Sequence, residues 1–191
     1  MHRNADVVGA NGLLLRDGIN GEAVDFEAAK TILNQHAGNR TSEFKIEKDL
    51  IGLYGCNMVF RASAIGDVRF DERLPLYSWQ EDIDFAVQVG RNGRIVKTNC
   101  FAGIHQGVKS SRTSGKQLGY SQVSNPIYLI RKGTMPVTFG AKLMIKNLIS
   151  NHVKMFRPEP WVDRRGRAVG NWLAVRDLLT NRLDPEKILR F

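Results

Sequence analysis

The first hundred residues alternate short apolar segments with glycines and polar turns, and this alternation restricts the fold more than any other feature. Residues 5–16 have the composition of a strand, a glycine break and a second short strand. Residues 25–34 carry apolar side chains at helical spacing, and the polar residues 35–50 predict a surface loop. Residues 51–60 predict a buried loop and strand, and residues 94–104 a further strand. Strands interspersed with helical segments predict an α/β fold with a small mixed sheet.

The second part of the chain differs in pattern and in charge. Its predicted helices cover residues 117–132, 137–156 and about 168–181. Residues 1–106 contain 12 Lys and Arg against 14 Asp and Glu, whereas residues 107–191 contain 16 against 5. We therefore divide the chain into residues 1–116 and a basic helical extension, residues 117–191. The positive charge favours an anionic partner such as a nucleotide diphosphate, an acidic lipid or a nucleic acid, although it also serves simple solubility.

Composition and cysteine usage are those of a cytoplasmic protein. Cys56 and Cys100 form neither a CxxC pair nor a disulfide framework, and their apolar neighbours predict two buried side chains. Residues 1–6 lack the apolar region of a signal peptide, and no uninterrupted apolar segment reaches the roughly 18 residues of a membrane span.

The strongest chemical feature is the acidic segment from Trp79 to Asp84. Glu81, Asp82 and Asp84 place three carboxylates within four positions at a predicted helix start. Crowded like charges raise at least one carboxyl pKa, which suits a general base. The alternative is that these acids only stabilise the positive end of the helix dipole.

His105 is the second candidate, because it follows an apolar strand where α/β proteins often place ligand sites. A neutral imidazole there could bind a divalent metal, and the alternative is a structural histidine. Lys109 and Arg112 lie in the Gly/Ser-rich segment that follows. Basic side chains there suit a diphosphate leaving group, and the alternative is a solvated surface loop.

Several of these segments occur in a characteristic order. They are the Gly55–Arg61 loop GCNMVFR, the turn Phe70-Asp71-Glu72, the helix start Gln80–Phe85, then Gly93 and His105. In order and spacing they resemble the acceptor-side, C-terminal half of the inverting family 2 glycosyltransferases of the GT-A fold. The resemblance covers about residues 5–135, and the tail resembles more loosely the helical extension of some bacterial members.

The resemblance implies a partial GT-A sheet and a role for each matched residue. Asp82 would be the general base that deprotonates an acceptor hydroxyl during inversion at the sugar, with Glu81 beside it. His105 would approach the metal, and Lys109 and Arg112 the diphosphate. The residues expected to contact the acceptor saccharide are Asp84, Trp79, Gly55, Asn57 and Met58.

The sequence also departs from the family pattern. Family members begin with a nucleotide-binding half that ends in a DxD motif, whereas no such half precedes Asp6 and no DxD occurs near the start of this sequence. Gln88 and Ser124 occupy positions where the family often has arginine. The resemblance therefore implies a Mn²⁺ or Mg²⁺ ion without its main DxD ligands, and a donor half supplied by an upstream chain. We expect weak or no activity from this chain alone, and self-association through an exposed sheet edge.

Two other hypotheses come from the basic half. The helix at 137–156 combines an apolar stripe with lysines, which favours a non-catalytic module on an anionic membrane surface or on a partner, at the inner face of the membrane. The same stripe could pack on the core of the domain. Nucleic-acid binding has less support, since the basic half contains no recognisable reader motif.

Overall fold

The structure is a computed structural model that describes residues 4–19, 22–39, 43–108 and 113–191. Its residues form two compact units that are not consecutive in sequence. The first combines Met1–Arg69 with Phe85–Ser110, and the second combines Phe70–Asp84 with Ser111–Phe191. The predicted division at residue 116 stays a prediction, since compactness alone does not define a domain. None of the helices in the described ranges has the length and apolar character needed to cross a membrane.

The first unit contains a mixed four-stranded sheet. Its strands are β1 (Val7–Asp17), β2 (Ile46–Asp49), β3 (Met58–Phe60) and β4 (Arg94–His105), in the order β2-β4-β1-β3. The long strands β1 and β4 are parallel, while β3 and β2 pair antiparallel with β1 and β4. The prediction of an α/β chain with a mixed sheet and helices is confirmed.

Within the described residues, the first unit also contains three α-helical segments. They are α1 (Phe26–Gly38), α2 (Ala62–Ile65) and the larger part of α3 (Glu81–Val89). The Asp25 side chain caps α1 by accepting a hydrogen bond from the Ala28 amide. Apolar side chains from the sheet, the loops, α2 and α3 form the buried cluster: Val8, Leu53, Ala64, Phe85, Ala86, Val89 and Ile95.

Three predictions for the first unit were wrong in detail. Residues 5–16 do not break at glycine, because β1 is one strand, and Gly12 instead leaves room for the Phe101 ring. Residues 35–50 are not only loop, since they include the end of α1 and all of β2. Cys56 and Cys100 are exposed rather than buried, because apolar neighbours in sequence do not fix which side of a strand or loop faces inward.

The second unit is built on three helices, α4 (Gly115–Lys132), α5 (Val137–Lys154) and α6 (Arg164–Leu179), as the sequence predicts. Glycines allow α4 and α6 to approach closely, because a Cβ on Gly119 or Gly170 would meet backbone atoms of the other helix. A buried polar chain ties the three helices together. Asn151 of α5 donates to Gln122 of α4 and to Asn171 of α6 at 2.8 and 2.9 Å.

Candidate functional site

The acidic segment forms the start of α3, and an unusual loop leads into it. Leu76, Ser78 and Gln80 have φ angles of 62°, 48° and 77°. Non-glycine residues in this left-handed region cost on the order of 1 kcal/mol each, and such strain concentrates at functional sites. The backbone is therefore held in an unfavourable conformation directly before Glu81.

Asp84 lies in the first turn of α3, and its carboxylate is fully buried, with 0% exposure. Its Oδ1 accepts a hydrogen bond from Thr134 Oγ1 at 2.6 Å, and its Oδ2 one from Lys132 Nζ at 2.8 Å. Lys132 Nζ also donates to Asp71 at 2.5 Å, and the Tyr128 hydroxyl donates to Asp71 at 2.8 Å. The end of α4 is thereby tied to the first turn of α3 and to the Phe70-Asp71-Glu72 turn.

The charges in this group stabilise one another. Burial favours neutral Lys132, yet the hydrogen bonds to Asp71 and Asp84 outweigh it, and the pKa of Lys132 is raised. Burial likewise opposes ionisation of Asp71, but the hydrogen bonds from Lys132 and Tyr128 lower its pKa. Lys132 and Asp71 are therefore charged at neutral pH, and Asp84 is held between Lys132 and Thr134 inside the protein.

Glu81 and Asp82 have a different environment from Asp84. The Asp82 Oδ1 accepts a hydrogen bond from the amide of Ile83 at 2.8 Å, and both residues are partly exposed. Burial, together with the neighbouring Asp82 carboxylate, raises the pKa of Glu81 to about 7. A carboxyl group with that pKa exchanges a proton near neutral pH, which is the property expected of an acid–base group.

Glu81 also lines an open pocket of about 390 Å³ in the second unit. This volume is in the range of small-molecule sites. Phe70, half exposed, supplies an aromatic face, and the other walls combine carboxylates with small apolar side chains. The lining residues are Phe70, Asp71, Glu72, Leu74, Pro75, Ser78 and Glu81. Carboxylate acceptors beside an aromatic ring suit a neutral polyhydroxylated ligand.

A second group of polar side chains lies in the first unit, at the carboxyl ends of β1 and β4. His105 is the last residue of β4 and lies opposite Asp17, the last residue of β1. The His105 Nδ1 is 2.9 Å from Asp17 Oδ1 and 3.0 Å from the Tyr54 hydroxyl. Within the described part of the chain, His105 Nε2 makes no hydrogen bond. A carboxylate on Nδ1 orients the ring and leaves Nε2 available to a ligand.

Asparagine side chains hold the Gly55–Met58 segment against this edge of the sheet. Asn11 of β1 donates to the Asn57 carbonyl at 2.6 Å and accepts from the Tyr54 amide at 2.8 Å. The Asn57 side chain donates to the Leu13 carbonyl at 3.0 Å. Met58 packs against the core of the first unit. The conformation of this segment is thus fixed by β1.

The predicted site residues fall into these two groups. Trp79, Glu81, Asp82 and Asp84 belong to the second unit, and the Trp79 carbonyl accepts a hydrogen bond from Asn125 at 2.9 Å. Gly55, Asn57, Met58 and His105 belong to the first unit. Lys109 and Arg112 lie outside the described residues.

A divalent cation would need more ligands than the described residues supply. Within the described ranges, no three or more His, Cys, Asp and Glu side chains are grouped so as to hold a metal ion. His105 Nε2 fits the role of a single ligand, with Asp17 as its orienting partner. The expected metal site is therefore not complete in this part of the chain, and we derive no chemical step through it.

Sequence reasoning did not identify the residues that organise either group. In the sequence Asp17 is only the first residue of an Asp-Gly turn signal, whereas its parallel pairing with His105 makes it a neighbour of that histidine in space. The partners of Asp84 and Asp71 lie about 50 residues further along the sequence: Lys132, Thr134 and Tyr128. The only signal in the sequence is that a buried acid requires a cation, which does not say which lysine it is.

Comparison of the chain with protein-family models, with curated proteins and with solved structures finds no match.

The bridge at Asp84 predicts a large effect of removing its cation. Lys132→Met leaves a buried carboxylate without its ion pair, so we expect a loss of about 3–5 kcal/mol in the free energy of unfolding. Lys142→Met, the same change at an exposed position of α5, should change it by less than about 0.5 kcal/mol. Urea denaturation of both variants measures this, and equal stabilities would contradict the anchoring role.

Glu81 predicts a characteristic dependence of stability on pH. Its pKa in the folded protein, about 7, exceeds the ordinary value of 4.5. Between these values the folded state binds more protons than the unfolded state, so this residue makes stability fall as pH rises, by up to about 1.4 kcal/mol per pH unit. Glu81→Gln should remove that slope and stabilise the protein above pH 7.

Denaturation curves collected from pH 4 to 8 test this prediction. The variant Glu22→Gln, at an exposed carboxylate, provides the control and should keep the wild-type slope. A Glu81→Gln variant with the wild-type slope would show that the Glu81 carboxyl is not protonated in the folded protein.

The pairing with Asp17 predicts the tautomer of His105. An ionised carboxylate can accept a hydrogen bond but cannot donate one. The Nδ1 of neutral His105, which faces Asp17, should therefore carry the ring proton. Asp17→Ala should shift it towards the Nε2–H form. His152 is an internal control, because its Nδ1 donates to the Leu148 carbonyl at 2.7 Å in either variant. Nitrogen-15 shifts of the imidazole rings report both tautomers, and an Nε2–H form of His105 in the wild type would contradict the prediction.

Proposed function

We propose that the chain takes part in glycosyl transfer from a nucleotide-diphosphate sugar to a hydroxyl of a saccharide acceptor, with inversion at the sugar carbon. The observation that carries the proposal is the difference in burial among the three carboxylates at the start of α3. Asp84 is buried on Lys132 and Thr134, whereas Glu81 and Asp82 remain partly exposed. Acids that only cap a helix would not require such an anchor.

The surroundings of these acids support a site rather than a solvated helix end. The three left-handed residues before Glu81 store strain, and a pocket of about 390 Å³ reaches Glu81. The order of motifs resembles that of family 2 glycosyltransferases, which makes a partial GT-A fold the corresponding structural proposal. On this proposal Asp84 anchors the helix, although the resemblance alone assigns it to the acceptor.

In the proposed reaction Asp82 removes the proton from an acceptor hydroxyl. The hydroxyl oxygen forms a bond to the anomeric carbon as the bond to the donor phosphate oxygen breaks, and the leaving diphosphate takes the bonding electron pair. The proton remains on Asp82. Glu81, beside Asp82, would bind a neighbouring hydroxyl, as a hydrogen-bond acceptor when ionised and as a donor when protonated.

The leaving diphosphate requires positive charge or hydrogen-bond donors. The resemblance assigns His105, whose Nδ1 lies against Asp17, to the diphosphate or the metal. Lys109 and Arg112 are assigned to the diphosphate by the same proposal. Trp79, Gly55, Asn57 and Met58 are assigned to the acceptor side.

Asp82→Asn tests the proposed base. Incubation of the chain at high concentration with UDP- and GDP-sugars and a panel of saccharide acceptors should give, at the low rate expected of this chain alone, a product whose anomeric configuration is inverted. The asparagine variant should lower its rate of formation by about 10²–10⁴-fold, since an amide cannot take the proton.

The matched control is Asp67→Asn, which makes the same change at an exposed carboxylate of the first unit. It should keep the wild-type rate. Retention of the donor configuration, or an Asp82→Asn variant as fast as the wild type, would overturn the proposal. Titration calorimetry with UDP and GDP, with and without Mn²⁺, measures donor binding separately from transfer.

A further inference from the structure

Helix α5 directs a row of large apolar side chains to solvent. Ile145, Ile149, Val153 and Phe156 follow one another at helical spacing along α5 and just past its end, and their exposure rises from 56% to 78%. The opposite side of α5 packs on the cores of the second unit through residues such as Leu143 and Leu148. The predicted apolar stripe therefore does not all pack inward, and part of α5 presents an uncovered apolar row.

Helix α6 extends this apolar surface. Val169 and Trp172 are 52% and 63% exposed. The Trp172 ring makes an edge-to-face contact with His152 of α5, with ring centroids 5.7 Å apart. This contact places Trp172 beside the exposed row of α5. We call the combined surface the α5–α6 face; its apolar residues are Ile145, Ile149, Val153, Phe156, Val169 and Trp172.

Basic residues flank the α5–α6 face and outnumber the exposed acids of α5, α6 and the loop between them. Helix α5 contains no Asp or Glu and exposes Lys142 and Lys146. The only acid of α6 is Asp177, which is buried and paired with Lys187 and Arg176.

Positive charge also predominates around the loop that follows α5. Glu159 accepts hydrogen bonds from Arg164 and Lys154, which hold its pKa well below the ordinary range. The charge of Glu159 is therefore neutralised within the protein. Asp163, the other acid of this loop, is exposed and accepts a hydrogen bond from the Gly166 amide. Exposed basic residues outnumber it: Arg157, Arg165, Lys142 and Lys146. The uncompensated charge around the α5–α6 face is positive.

We propose that the α5–α6 face docks on the surface of an anionic lipid bilayer. Exposed apolar side chains flanked by lysine and arginine are the combination that binds at the boundary between headgroups and acyl chains. Trp172 would lie at the headgroup level, a preferred environment for indole. The lysine stems would cover apolar surface while their ammonium groups reach the phosphates.

Charge selects this partner over two others. A second copy of the chain would bring two positive faces together, which costs energy. A nucleic acid would satisfy the positive charge but would leave the aliphatic row of Ile145, Ile149 and Val153 without an apolar partner. A bilayer with acidic headgroups satisfies both. This proposal does not depend on the proposed glycosyl transfer and would hold for a chain without that activity.

The test is co-sedimentation of the full chain with vesicles of phosphatidylcholine alone and of phosphatidylcholine mixed with phosphatidylglycerol. We expect binding to the anionic vesicles at low salt, weaker binding at high salt, and little binding to phosphatidylcholine.

Two pairs of matched variants locate the binding. Lys142→Glu with Lys146→Glu should lower the partition coefficient by more than about 30-fold, since each basic residue near the surface contributes about fivefold. Lys30→Glu with Lys48→Glu makes the same change of net charge at exposed positions of the first unit and should lower it far less. Phe156→Ser should lower it by about tenfold or more, whereas Phe44→Ser, at a similarly exposed phenylalanine, should not.

Fluorescence gives a second measurement that does not depend on losing binding. The chain has three tryptophans, so a variant with Trp79→Phe and Trp161→Phe leaves Trp172 as the only indole. Its emission should shift to shorter wavelength when anionic vesicles are added.

Several outcomes would overturn the proposal. The wild-type chain would stay in the supernatant with anionic vesicles at low salt. The two lysine double variants would lose the same fraction of the partition coefficient. The emission of Trp172 would not change when vesicles are added. A monomer–dimer equilibrium abolished by Phe156→Ser would show instead that a second copy covers the face. Salt-sensitive binding of duplex RNA or DNA, lost in the Lys142 and Lys146 variant but not in Phe156→Ser, would assign the charge to nucleic acid.

Discussion

The second unit depends on how it accommodates one buried negative charge, the carboxylate of Asp84. A buried carboxylate is stable only when an opposite charge and hydrogen-bond donors surround it, and here Lys132 and Thr134 supply them. Both partners lie at or just after the end of α4, so the requirement joins that helix to the first turn of α3. Lys132 also binds Asp71, which brings the Phe70-Asp71-Glu72 turn into the same arrangement. One charge thus fixes the positions of three segments that are distant in sequence.

This arrangement explains how the strained approach to α3 persists. Three non-glycine residues with left-handed backbone precede Glu81, and each would relax if the helix start were free to move. The anchored Asp84 prevents that movement because it cannot leave Lys132 without losing the partner of a buried charge. The same rigidity keeps Glu81 beside Asp82 and partly out of water, which raises the pKa of Glu81 to about 7. Strain, burial and the altered pKa therefore have one structural cause.

The sequence predicts local structure well and long-range partners poorly, and the reason is physical. Periodicity identified α4, α5 and α6 because each has one apolar side that must face a core. It did not identify β2, four residues of which none is buried, nor the continuity of β1 through Gly12. The sequence also identifies the acids at 81, 82 and 84 as a group. Only the folded structure shows that Asp84 is buried while the other two are partly exposed. Asp17 and His105 meet because β1 and β4 are parallel in a particular register, and register is not encoded in the composition of either strand.

The distinction among the three acids also separates a functional interpretation from a purely structural one. If they served only the helix dipole, each would gain most by remaining in water near the first turn, and none would need a lysine about 50 residues away. Burying Asp84 costs desolvation energy that is larger than the stabilisation from a helix dipole. The ion pair with Lys132 must therefore have a structural role beyond the dipole. Fixing the helix start is such a requirement, and a fixed helix start matters chiefly when the residues on it must meet a ligand in a defined geometry. Glu81 and Asp82 are the partly exposed acids on that fixed turn, which is why the proposed chemistry is assigned to them.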